Sequence, residues 1–123
     1  MMMVYRDDGC FLVENRLKKD WPGINFPGGH VEDLESVEDS AIREINEETG
    51  LTIFNLEEVG IFEWNLPEES VRHLCVLYRT KSFSGSLKSS NEGPVFWLKR
   101  ENLKDYPLSL DFDKVLAKML KGL

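Results

Sequence analysis

Between the breakers Pro27-Gly28-Gly29 and Gly50 there is room for one substantial helix, and it must carry the chain's unbalanced charge. From Glu32 to Glu48, eight of the seventeen residues are acidic and Arg43 is the only base. That segment holds the whole net charge of −7, because the other fourteen acidic and fourteen basic residues cancel. Such a helix has only a narrow face to bury. Val37, Ala41, Ile42 and Ile45 supply it at helical spacing. Ser36 is placed to cap the start, with Asp39 three residues on, and Gly50 is placed to stop the end.

The remaining sequence reads mainly as strands. Met2 to Arg6 and Cys10 to Asn15 flank Asp7-Asp8-Gly9, a hairpin signature. A turn-rich loop, RLKKDWPGINFPGG, leads to the acidic helix. Beyond it, Thr52 to Phe54, Val59 to Trp64, Val71 to Ser82 and Val95 to Leu98 are strand-like, with loops around Phe83 to Ser86 and Ser89 to Pro94. Phe112, Val115, Leu116, Met119 and Leu120 then mark a one-faced amphipathic helix suited to packing on a sheet. With 123 residues, 41% of them hydrophobic, residues 1–123 are expected to form one α+β domain, a mixed sheet covered by helices.

A locally acidic chain with a balanced remainder is a poor holder of nucleic-acid backbone. No apolar run approaches membrane-spanning length, and the N-terminus reaches charge too early for a signal peptide. Cys10 and Cys75 lie in apolar runs and read as buried free thiols, so a cytoplasmic setting is expected.

The acidic helix works against its own stability. Glu44, Glu47 and Glu48 are three and four residues apart and lie along one side. A carboxylate pair at about 4 Å costs roughly 4 kcal/mol at an effective dielectric near 20, before screening by solvent. The helix C-terminus is also the less favourable end for negative charge. A cation with oxygen ligands resolves the conflict. With no cysteine nearby and a single His30, the ligand set favours Mg²⁺ or Mn²⁺ over zinc. Gly28-Gly29 allows close backbone approach and a free carbonyl, and Arg43 is placed to pair with Glu35 or Glu47.

Read from Gly29, the chain runs Gly, five residues, Glu35, seven residues, then Arg43-Glu44-Ile45-Asn46-Glu47-Glu48-Thr49-Gly50-Leu51. This resembles the signature box of the Nudix hydrolases at every defined position, in the manner of the small MutT-type members. The resemblance implies an α/β/α sandwich around a mixed β-sheet, and Mg²⁺-dependent cleavage of a nucleoside diphosphate linkage. It further implies metal ligation by Glu47, Glu48 and the Gly28 carbonyl. Glu44 would be a metal-linked carboxylate that orients or deprotonates water, with Arg43 and Glu35 in support. Glu92, in the loop before the strand ending in Trp97, corresponds to a further carboxylate that ligates or acts as base, whereas Glu68 and Glu69 read as solvated. Arg16 resembles a phosphate-contacting position, and Lys18 and Lys19 read as steering charge. Trp21 and Phe26 are candidates to stack on a base, with Phe26 equally a candidate for the core, Trp97 reads as core, and Asn25 or Asp111 is placed to read the base.

The expected activity is that of a nucleoside triphosphate pyrophosphohydrolase, with oxidised nucleotides such as 8-oxo-dGTP among its possible substrates. A non-catalytic nucleotide sensor, or a hydrolase of ADP-ribose or nucleotide sugars, is the alternative. The expected partner is a small nucleotide, with the protein a monomer or homodimer.

Overall fold

Strand alternation sends side chains to two opposite faces, and each face meets one helix. The computed structural model describes residues 1–123. Its strands are β1 (Met2–Val4), β2 (Cys10–Arg16), β3 (Gly23–Asn25), β4 (Thr52–Phe54), β5 (Glu57–Leu66), β6 (Val71–Thr80), β7 (Ser82–Ser84) and β8 (Val95–Lys99). Its helices are α1 (Val37–Thr49) and α2 (Phe112–Leu120), with short 3₁₀ turns at Pro67–Glu69 and Arg100–Asp105. One mixed sheet runs β1-β6-β5, with β1 parallel to β6, and a second, antiparallel, runs β3-β2-β8. Strands β4 and β7 form a small third pair.

Met2 and Val4 of β1 and Leu12 of β2 turn toward α1, joining Ala41, Ile45, Leu51 and Ile53 in one core. Their neighbours Met3, Phe11 and Val13 turn the other way, joining Phe112, Val115, Leu116 and Met119 of α2 in a second core. Each fully buried side chain of this kind contributes about 1.5–3 kcal/mol. The result is the helix-sheet-helix sandwich expected. Arg79 on β6 ties α2 down by donating to the carbonyls of Met119 (2.9 Å) and Lys121 (2.6 Å), and it also pairs with Glu57. A guanidinium at a helix C-terminus suits the negative end of the helix dipole.

The caps of α1 are where the sequence places them. Ser36 Oγ accepts from the Asp39 N–H at 3.0 Å, and Gly50 ends the helix in the left-handed region at φ 81°. Ala41 and Ile45 are buried and Ile42 is half-buried, whereas Val37 is exposed.

Several expectations give way to long-range pairing. Asp7-Asp8-Gly9 does make a tight turn, with the Arg6 N–H donating to the Cys10 carbonyl at 2.9 Å, but no β1-β2 hairpin forms beyond a single bridge at Tyr5 and Phe11. Strand β1 pairs with β6 and β2 with β8, where more backbone partners are on offer. The supposed loop after Arg16 contains β3, and the supposed loop at Phe83 lies partly in β7. Phe26 has no face free for stacking. It is 2% exposed, with its ring against those of Phe112 (4.8 Å) and Phe11 (5.9 Å). Trp97 is only half-buried, at the margin of the α1 core, with the Arg6 guanidinium over its ring at 4.7 Å.

Candidate active site

Three elements deliver one carboxylate each to the same point. Glu14 comes from β2, Glu48 from the last turn of α1 and Glu92 from the loop before β8, and one oxygen from each lies within 4.8 Å of the others. The strand period explains Glu14, which is two residues beyond Leu12 and so shares the face turned to α1. Glu48 follows three residues after the buried Ile45 and lies on the same helix face. Backbone pairing holds the Glu92 loop to β2. The Leu17 N–H donates to the Glu92 carbonyl at 3.2 Å, and the Asn15 N–H to the Pro94 carbonyl at 2.9 Å. Only glycine permits that approach at position 93, where a Cβ would sit 2.2 Å from the Asn15 carbonyl oxygen.

Electrostatically this cluster is unbalanced. Burial pushes the Glu14 carboxyl up to about 7, with the Glu92 charge adding to it and Arg16 and Lys18 acting the other way. Glu48 is pushed up as well, by burial first and then by Glu14, Glu92 and Glu44. The Gly28 N–H donates to Glu48 Oε2 at 3.3 Å, and on the outer side Arg16 and Lys18 approach Glu92 at 3.4 and 3.6 Å. Nothing reaches Glu14 Oε1, which is buried with no hydrogen-bond partner. An orphaned carboxylate oxygen in an all-oxygen donor set, without imidazole or thiolate, fits a hard divalent cation.

A second carboxylate group surrounds Arg43. Its guanidinium holds Glu35 through Nε (2.7 Å) and Nη2 (3.1 Å), and Glu44 and Glu47 through Nη1 at 3.0 and 3.1 Å. Nη2 also donates to the His30 carbonyl at 3.2 Å. These contacts hold Arg43 well above its ordinary pKa, with the Glu35 bond the largest cause, and hold Glu35 below the usual carboxylate range. Glu44 lies directly beneath Gly29, where a Cβ would fall 2.3 Å from the carboxyl carbon, so any larger residue there would displace the Glu44 carboxylate.

The acidic helix therefore turns Glu47 away from Glu48, whereas Glu44, one turn before Glu48, stays close enough for its charge to act on it. Successive residues turn about 100°, so Glu48 faces the sheet while Glu47 is exposed on Arg43. Of the carboxylates expected at the site, Glu48 and Glu92 meet. Glu44 and Glu47 remain on the Arg43 side, and Glu14, which sequence reasoning missed, joins the first pair. Its signal was a carboxylate two residues after Leu12, directly following the apolar run Cys10 to Val13.

Arg16 links the cluster to a cavity of about 290 Å³ lined by Trp21, Asn25, Trp64 and His73 among others. Besides Glu92, its guanidinium bonds the Asp20 carbonyl at 3.0 Å and side chain at 3.2 Å. Trp21 packs edge-on to Trp64 (5.4 Å) and His73 (6.2 Å). Asn25 Oδ1 accepts from the Phe26 N–H at 3.1 Å, which leaves its amide nitrogen as the free group. Asp111 lies elsewhere, at the start of α2 beside Lys114 (3.5 Å). Glu68 and Glu69 are exposed in their 3₁₀ turn, and Lys19 is exposed. A second cavity of about 220 Å³ borders Gly29 and Glu44 and includes Val37 and Val76.

A match to the NUDIX domain covers residues 1–121. The chain belongs to the Nudix family. Among its relatives is the uncharacterized Nudix hydrolase YvcI of Bacillus subtilis (strain 168), 29% identical over 120 residues, or 94% of this chain and 74% of the relative. The CTP pyrophosphohydrolase of Escherichia coli (strain K12) is 27% identical over 108 residues, covering 87% and 78% respectively. The MutT NUDIX hydrolase structure from Burkholderia pseudomallei superposes with a TM-score of 0.80 at 22% identity, covering 95% of this chain and 92% of that one. This Nudix protein is thus a hydrolase of diphosphate bonds. The NUDIX domain of Shewanella oneidensis NrtR, complexed with ADP ribose, shares the fold with a TM-score of 0.72 at 18% identity, covering 96% of this chain and 80% of that one. None of the helices here is long and apolar enough to cross a membrane.

Proposed function

We propose that this Nudix protein is a cytoplasmic, Mg²⁺-dependent nucleoside triphosphate pyrophosphohydrolase, releasing a nucleoside monophosphate and pyrophosphate. The observation that carries the reading is the position of Arg16, which touches Glu92 of the carboxylate cluster and also lines the Trp21 cavity. A phosphate-binding cation thus stands between a metal-binding site and a flat aromatic recess. That is the order of parts in a nucleotide substrate.

Glu48 and Glu92, with the Gly28 carbonyl, would hold Mg²⁺, and Glu44 and Glu47 are the box carboxylates available to it from the Arg43 side. When bound, the ion neutralises anhydride oxygens and acidifies water. Glu44 Oε1 is engaged by Arg43, which leaves Oε2 to orient an attacking water and receive its proton. Arg43 fixes Glu35, Glu44 and Glu47 relative to one another. Arg16 exchanges its bonds to Asp20 and Glu92 for phosphate oxygens, a charge-assisted pairing. Trp21 stacks on the base, and Asn25 offers an amide N–H to a base acceptor such as a ring carbonyl.

Incubation with Mg²⁺ and a panel of normal and oxidised nucleoside triphosphates, nucleotide sugars, ADP-ribose and dinucleoside polyphosphates tests this, with Glu48→Gln as control. Conversion of a triphosphate to monophosphate and pyrophosphate by the wild type alone is expected. Turnover of ADP-ribose or a nucleotide sugar in place of every triphosphate would replace the substrate assignment, and an equally active Glu48→Gln protein would refute the site.

A further inference from the structure

We propose that Glu14 is a ligand of the divalent cation, so that the ion is held by one carboxylate from β2, one from α1 and one from the loop before β8. This rests on the divalent-cation site of the preceding reading, but not on which anhydride is cleaved.

Glu14 is 3% exposed, and its Oε1 has no donor from the protein. It is nonetheless rigidly placed. Its residue pairs with Asn25 of β3 on one side and Val95 of β8 on the other, in the middle strand of a three-stranded sheet. The neighbouring Asn15 bonds the chain that follows Glu92. Strand and loop therefore set the separation of Glu14 and Glu92 through the backbone. Glu48, 6% exposed, enters from the opposite layer, where the negative end of the α1 dipole also disfavours a carboxylate. Two basic side chains approach this trio, and both approach Glu92, the most exposed member. The deep side, where Glu14 and Glu48 face each other, has no cation from the chain. A strand that needed only to pack would place an apolar residue at position 14, as it does at Leu12 on the same face. A shared proton would satisfy one oxygen. A divalent ion satisfies all three carboxylates at once.

Glu14→Gln separates these cases, because Gln keeps the shape of a protonated Glu and removes its charge. Mn²⁺ binding is followed by electron paramagnetic resonance, and melting temperature is read with and without Mn²⁺, for wild type and variant. Glu14→Gln is expected to melt a few degrees higher than wild type without metal, to lose most of the Mn²⁺-induced rise, and to bind Mn²⁺ at least about tenfold more weakly. Mn²⁺ affinity within twofold of wild type would overturn the assignment. Should Glu14→Gln fail to fold, Glu14→Asp decides instead. It keeps the charge but withdraws the carboxylate by one methylene, and undiminished Mn²⁺ affinity there would equally overturn it. Wild type that binds Mn²⁺ through Glu14 yet hydrolyses no triphosphate would sink only the substrate assignment. Wild type that binds no Mn²⁺ would sink both.

Discussion

The two carboxylate groups flanking α1 are built from the same residue type and balanced in opposite ways. Around Arg43, three glutamates share one guanidinium at 2.7 to 3.1 Å, so each carboxylate has a basic partner from the chain. Around Glu48, three glutamates converge with no basic group on their buried side and an orphaned oxygen at Glu14. Charge compensated from within is a framework. Carboxylates left without a partner at a buried point are what the proposed divalent cation would satisfy. A helix that reads as uniformly acidic in sequence thus carries carboxylates that are paired in two different ways.

The largest effect should come from the uncompensated side. Glu48→Gln is expected to lower kcat roughly 10²–10⁴-fold while leaving the circular dichroism spectrum unchanged. Retained turnover would erase the contrast between the two groups.

Next in size is the pH response without metal. Glu14 has a folded-state pKa of about 7 against an ordinary value near 4.5, and Glu48 is raised too. The folded protein therefore holds more protons than the unfolded chain across that interval. Its stability is greatest below about pH 4.5 as far as these groups are concerned, and it falls as pH rises through the raised values. Between pH 5 and 8 the metal-free protein should lose on the order of 2–3 kcal/mol by denaturant titration. Saturating Mg²⁺ should flatten that slope. A metal-free stability that rises over this range would show that the cluster is not strained.

A smaller effect, of different character, is expected on the compensated side. Arg43→Ala releases Glu35, Glu44 and Glu47 together and should cost about 2 kcal/mol in stability, since the guanidinium is partly exposed. Arg43→Lys should recover only part of this, because an ammonium does not form the two-pronged bond to Glu35. Both losses should persist with Mg²⁺ present, unlike the pH effect.

How much of this was legible beforehand follows the range of the interactions. Local physics wrote both ends of α1, through Ser36 and Gly50, and the buried stripe of α2 from Phe112 to Met119. The pairing of Arg43 with Glu35 and Glu47 could be read because all three lie within one turn-and-helix unit. Partners far apart in sequence could not be read the same way. Asp7-Asp8-Gly9 spells a hairpin, yet β1 goes to β6, more than seventy residues away. Strand β3 is three residues long and hidden among turn formers, so only its pairing with β2 reveals it. Glu14 left only a faint signal for the same reason. A glutamate near a strand end usually reaches solvent, and only the arrival of α1 and the Glu92 loop above it makes this one buried.

The smallest expected effect asks whether the two sides also divide substrate contacts. Trp21 lines the cavity joined to the Glu48 cluster through Arg16, whereas Val37 lines the cavity beside Glu44 on the Arg43 side. Stacking on a base is worth about 1–3 kcal/mol when an aromatic is truncated to alanine. Trp21 also leans on Trp64 and His73, so part of its packing persists without substrate and the lower end applies. Trp21→Ala should therefore raise KM for the preferred triphosphate about five- to tenfold with kcat little changed, the pattern of lost binding that is uniform along the reaction. Val37→Ala, at a position 41% exposed, should leave KM, kcat and stability near wild type. If the Val37 change raised KM and the Trp21 change did not, the base would lie on the Arg43 side. Arg16 would then no longer stand between metal and nucleoside, and the compensated group would be the one facing substrate.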